Sequence, residues 1–96
     1  MLRISAAAQA DLERMLDFLA EQDFETALRA RVAIEHAYGL LREFPFSCRK
    51  PDEDKPFLRE LVIGFGNSGY VALFEIEDEA TVTVLAVRHQ REDDYH

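Results

Sequence analysis

The sequence predicts an α+β fold in two layers: an N-terminal strand, then an antiparallel helical hairpin packed on a small, mainly antiparallel β-sheet, in the order β-α-α-β-β-β. Three observations predict it. Residues 6–44 carry apolar positions at helical spacing, with no Gly or Pro before Gly39. The chain beyond Pro56 breaks into three short runs rich in Val, Ile, Leu, Phe, Tyr and Thr. The length of 96 residues and an apolar content of 48% suit a single domain, 1–96, with one modest core, and exclude disorder along the whole chain.

Leu2 to Ile4 form a short extended segment, and Ser5 is placed to cap a helix beginning at Ala6. Ala8, Leu12, Met15, Leu16 and Leu19 recur at helical spacing, which makes that helix amphipathic and ends it near Glu21. Asp23 caps a second helix with an apolar face of Ala27, Ala30, Ile34, Ala37, Tyr38 and Leu41. Its polar face carries Glu25, Arg29, Arg31, Glu35 and Arg42. The helix ends before Pro45, because a residue ahead of proline avoids helical geometry. So short a link between the helices makes them antiparallel.

Pro45 to Pro56 hold all three prolines and a mixed charge run from Arg49 to Lys55, which reads as an exposed loop. Strands come next at Phe57–Ile63, Tyr70–Ile76 and Thr81–Val87. Gly64, Gly66, Asn67 and Gly69 punctuate the first gap and Glu77-Asp78-Glu79 the second, so the strands form a meander. The polar stretch from Arg88 to His96 reads as a tail. Neither layer buries an apolar face alone. The expected core is Leu12, Leu16, Leu19, Ile34, Leu41, Leu61, Phe74, Ile76 and Val84, with the second sheet face left for solvent, ligand or partner.

The charge balance narrows the function. With 11 basic and 19 acidic residues the formal net charge is −8, which argues against direct DNA binding by the chain alone. Cys48 is the only cysteine, so the chain fits a reducing compartment and a cytoplasmic location. No apolar run approaches a membrane span, so no membrane partner is expected. Gly64 to Gly69 resemble a phosphate loop, but a strand pattern stands where a helix would be needed, so a hairpin turn is the better reading. His36, His89 and His96 lack metal-ligand spacing; no metal and no cofactor are expected. Arg49, Lys50, Arg59, Tyr70, Arg88, His89 and Arg91 stand out, since adjacent strands can gather Arg, Tyr and His on one sheet edge. Such a cluster holds a phosphate and moves a proton; the plainer reading is a set of surface charges.

Several segments carry a resemblance. In order they are Ile4-Ser5-x-x-Ala8-x-x-Asp11-Leu12, Pro45-x-x-Cys48-Arg49, Leu58-Arg59-Glu60-Leu61, Tyr70-Val71 and Val84-Leu85-Ala86-Val87-Arg88-His89-Gln90-Arg91. Their order and spacing resemble the RelE/ParE toxin superfamily nearly end to end. The family's glycine in the proline, glycine, arginine loop is replaced by Cys48, which bears on the loop conformation if a positive φ is needed there. RelE-like members cut messenger RNA on the ribosome; ParE-like members poison DNA gyrase. Val71 stands where RelE-like toxins carry an arginine, Glu60, Leu61, Val62 and Ile63 stand where they carry lysines, and the chain is acidic. The resemblance is therefore closer to ParE, the plasmid-stabilisation type of type II toxin.

That resemblance implies a non-catalytic inhibitor of DNA gyrase, with Arg49, Arg59, Arg88, His89, Arg91 and Tyr95 contacting the target. It implies a ParD-like antitoxin on the hairpin, at Leu16, Leu19, Leu28 and Val32. The alternative is a RelE-like, metal-free endoribonuclease acting on ribosome-bound mRNA, with Arg59, Tyr70, His89 and Arg91 as its catalytic set.

Overall fold

The computed structural model describes residues 1–66 and 68–90. Strand β1 is Leu2–Ile4, helix α1 Ala6–Gln22, helix α2 Phe24–Glu43, with a 3-10 turn after it at Pro45–Ser47. Strands β2 (Leu58–Phe65), β3 (Ser68–Ile76) and β4 (Val82–His89) complete one four-stranded sheet in the order β1-β4-β3-β2. β1 runs parallel to β4 and the other pairings are antiparallel. The α+β order is as the sequence predicts.

Both caps form. The Ser5 hydroxyl accepts from the Ala8 N–H at 3.1 Å, and the Asp23 carboxylate accepts from Glu25 N–H at 3.2 Å and the Thr26 hydroxyl at 2.7 Å. Every residue of the expected apolar face of α2 is buried: Ala27, Ala30, Ile34, Ala37, Tyr38 and Leu41. Of the expected core, Leu12, Ile34, Leu41, Phe74, Ile76 and Val84 are buried. Leu16, Leu19 and Leu61 pack against that core but are only half-buried. They lie at its margin, where spacing assigns a face but not a depth.

Strand ends differ from the sequence expectation for a geometric reason. β2 and β3 pair through Phe65↔Ser68, so the hairpin closes in a tight turn at Gly66, whose φ is +61°. A Cβ at Gly69 would collide with the Ile63 carbonyl, so that position requires glycine. The long β3 then draws β4 out past Val87, with Val71↔Arg88 and Tyr70↔His89 in register. Arg88 and His89 are strand residues, not tail.

One irregularity organises the N-terminal half. Leu73 pairs with Ala86 but Phe74 with Val84, so Leu85 is an extra residue in β4, a bulge. Ser5 meets it twice: its N–H donates to Val84 O at 2.9 Å and its hydroxyl donates to Leu85 O at 3.1 Å. Asp11, buried on α1, accepts the Val87 N–H at 3.0 Å. The Ser5-to-Asp11 motif thus clamps α1 to the bulged strand.

The second sheet face is less open than expected. Val71, Ala86 and Glu60 are buried there. Glu60 receives Arg49 from the loop, and the cross-strand neighbours of Val71 are Val62 and Arg88.

Candidate functional site

The residues singled out in the sequence fall into separate places. Arg59 lies on the helix-facing side of β2, opposite Phe74. Its guanidinium donates to Pro56 O at 2.8 Å, Phe46 O at 3.1 Å and Cys48 O at 2.9 Å, and stacks over the Phe46 ring at 5.4 Å. These bonds gather loop 45–57 against the sheet. Arg49 is on the opposite face, where its Nε donates to Glu60 Oε1 at 3.0 Å and its carbonyl accepts the Glu60 N–H at 2.9 Å. Lys50 pairs with Glu53 at 3.2 Å. Cys48 has φ −85°, so this loop needs no positive φ at that position, and burial pushes its thiol up.

Tyr70 and His89 do come together. Their rings meet edge to face with centroids 5.7 Å apart, and Phe65 stacks on Tyr70 at 6.3 Å. Burial pushes the Tyr70 phenol up. Both line a cleft of about 500 Å³ together with Arg14, Met15, Phe18, Leu19, Phe65 and Gly66. Arg88 is the adjacent residue of the same strand and therefore faces the other way, where its guanidinium donates to His89 O at 3.2 Å and Gln90 O at 3.4 Å. Arg91, Tyr95 and His96 lie outside the described residues.

A second groove, about 350 Å³, runs between the helices and is lined by Leu12, Leu16, Ile34 and Tyr38, with Glu13, Arg31 and Glu35 at its rim. Leu16 and Leu19 thus serve different clefts. Leu28 and Val32 sit one turn apart on α2, 47% and 65% exposed. Among the described residues no group of three His, Cys, Asp or Glu is placed to hold a metal, and no helix is long and apolar enough to cross a membrane.

The sequence marks Asp11 only as a motif residue, without its contact to β4, and gives no role to Arg14 and Phe18, which wall the larger cleft. The signal for them is that Asp11 precedes Leu12 inside an apolar stripe and Phe18 stands outside it.

Tyr38 yields a pH prediction. Its hydroxyl is buried without a hydrogen-bond partner among the described residues, and burial, with the Asp11 charge, pushes the phenol up to about 12. An unfolded tyrosine ionises near pH 10, so the fold favours the neutral phenol. This contribution is complete below about pH 10 and is lost as pH rises towards 12. The protein is expected to lose about 2 kcal/mol more across that interval than Tyr38→Phe. Urea melts of both proteins at pH 9, 10, 11 and 12 measure it; parallel curves would reject it.

The family described as "ParE toxin of type II toxin-antitoxin system, parDE" matches residues 2–94. Among solved structures, one titled "Chromosomal ParDE TA system from P. aeruginosa" is similar in fold, with a TM-score of 0.74 and 22% identity over 92% of each chain. No curated protein matches the chain.

Proposed function

The chain belongs to the ParE toxin family of type II toxin–antitoxin systems, and from that premise we propose that a ParD-like antitoxin on the helical hairpin holds it inactive and that, once released, it inhibits DNA gyrase. The observation that carries the antitoxin half is the apolar surface left uncovered on the hairpin at Leu28 and Val32, beside the groove lined by Leu12, Leu16 and Ile34. Such a surface suits an amphipathic segment that orders as it docks. The outer edge of β2 offers a second contact. The Glu60 N–H points away from β3, and strand alternation directs those of Val62 and Gly64 the same way, open to strand addition.

The gyrase half is supported by family membership and by the disposition of the basic residues. Arg59 is occupied with loop carbonyls and Arg49 with Glu60. Arg88 and the Tyr70–His89 pair face opposite sides of the sheet. General acid–base catalysis needs its groups within hydrogen-bond reach of one reacting atom. Contact with a protein surface makes no such demand, and Arg88, His89, Arg91 and Tyr95 form the target-binding stretch in this reading.

Purified toxin is expected to block gyrase supercoiling. Removal of residues 91–96 is expected to abolish that block while leaving the antitoxin complex intact on co-purification. Codon-positioned mRNA cleavage in programmed ribosomes with gyrase unaffected would overturn the gyrase half. Absence of a complex with the product of the adjacent small gene at micromolar concentration would overturn the antitoxin half.

A further inference from the structure

At the other end of β3 from Tyr70 and His89, a smaller cleft of about 260 Å³ is lined by Phe46, Phe57, Ile76, Glu77, Asp78 and Glu79. Ile76 is buried, and its N–H donates to Phe57 O at 2.8 Å, which fixes the start of β2 beside the end of β3. The two phenyl rings meet edge to face with centroids 6.4 Å apart, and they stay 57% and 55% exposed. Apolar rings this open, set in a concave surface, are suited to a partner side chain.

The rim is acidic. Glu77, Asp78 and Glu79 are three successive carboxylates, all exposed. Glu77 accepts from the Thr83 hydroxyl at 2.9 Å, a neutral donor that leaves its negative charge in place; Asp78 accepts from the Ala80 N–H at 2.8 Å and also feels the charge of the N-terminal ammonium. Among the described residues no cation lines this cleft itself. The Met1 ammonium, which donates to the Ala80 carbonyl, and Arg42 line an adjoining cleft with Glu43, Asp78 and Glu79, Lys55 lines another with Phe57 and Glu75, and Arg59 is bound to loop carbonyls. The Arg59 guanidinium carbon also sits over Phe46, 5.4 Å from the ring centroid, so one ring of this pair already receives a guanidinium.

We propose that this cleft is a docking site for an arginine-bearing segment of a partner protein, with the guanidinium on the open face of Phe57 and its N–H groups on the carboxylates of Glu77 and Glu79. Charge complementarity selects this occupant. A guanidinium is planar and weakly hydrated, stacks on aromatic rings and presents a fork that fits a carboxylate. A lysine ammonium gains the Coulomb attraction without the stacking. A purely apolar side chain would desolvate the rim carboxylates without compensation. A second copy of this chain would bring two net charges of −8 together. The proposal uses neither the hairpin groove nor the strand residues beyond Val87, so it stands or falls apart from the antitoxin and gyrase readings.

The test titrates the full chain with the blocked tripeptide acetyl-Leu-Arg-Leu-amide and tracks backbone amides by NMR. Saturable shifts are expected at Phe57, Ile76, Glu77 and Glu79. The lysine counterpart is expected to bind at least about threefold more weakly, and the neutral citrulline counterpart without saturation. Glu77→Gln with Glu79→Gln, and separately Phe57→Ser, are each expected to weaken the arginine peptide at least about threefold. If Phe57→Ser loses the dispersed spectrum of the folded chain, the glutamine pair, at exposed positions, decides alone. Equal binding of the citrulline peptide, or equal shifts at Glu13, Asp17 and Glu21 on α1, would overturn the proposal. So would shifts at the cleft that grow with protein concentration in the absence of peptide, which would make the occupant a second copy.

Discussion

Phe74→Ala is expected to cost about 3–5 kcal/mol of folding stability. Phe74 is fully buried in the last third of β3, with Arg59 and Val84 as its cross-strand neighbours. It belongs to the same cluster as Leu12, Ile34, Tyr38 and Leu41 of the hairpin, so it joins the two layers. Truncation removes the transfer free energy of the ring and leaves a cavity between a clamped helix and a paired strand, neither of which collapses easily. A domain of this size holds on the order of 5–15 kcal/mol, so the change takes a large share of the total. Chemical denaturation at pH 7 measures it through the midpoint, with an unchanged slope as the condition for reading stability. Val62→Ala, at a half-open edge position, is the comparison and is expected to cost less than about 1 kcal/mol. A loss below about 1 kcal/mol at Phe74 would mean that the layers are not joined there.

The helical half of this fold is legible in the sequence because its signals are local. Ser5 and Asp23 cap, apolar residues recur at one period, and the six apolar positions of α2 are the six that become buried. The strands are legible as segments but not at their ends. Whether β4 stops at Val87 or runs to His89 depends on where Tyr70 and Val71 lie in the neighbouring strand, which no local pattern reports. The bulge at Leu85 is invisible for the same reason.

Side-chain roles divide along the same line. Tyr70 and His89 lie on adjacent strands, and their register as cross-strand partners is enough to bring their rings together. Arg59 reads in the sequence as available for a target, yet its guanidinium reaches carbonyls 11 and 13 residues away, at Cys48 and Phe46. Arg49 and Glu60 pair across a similar span of chain. Asp11 stands in the sequence as a motif residue without an assigned role, and its partner, the Val87 N–H, is 76 positions distant. Long-range hydrogen bonds thus reassign the charged residues, while apolar periodicity places the core.

Leu28→Asp combined with Val32→Asp is expected to weaken the antitoxin complex by more than about 10²-fold, a loss of roughly 3 kcal/mol. Both side chains are exposed in the free toxin, so the carboxylates are solvated there and the fold is expected to change by less than about 0.5 kcal/mol. In the proposed complex the same positions lie under an apolar segment of the partner. Each carboxylate must then shed water without gaining a compensating donor, and the apolar contact it replaced is lost as well. The two sites are one turn apart on α2, so both fall under a single docked segment and their effects are coupled. Titration calorimetry with the ParD-like antitoxin gives the affinity, and a thermal melt of the free variant shows whether the toxin is still folded. Gyrase inhibition by the variant is expected to persist and to resist antitoxin at concentrations that silence the parent protein, since the substitutions leave Arg88 and His89 untouched. An unchanged affinity with a folded variant would move the antitoxin off this face, and the edge of β2 around Val62 and Gly64 would then be the surface to substitute.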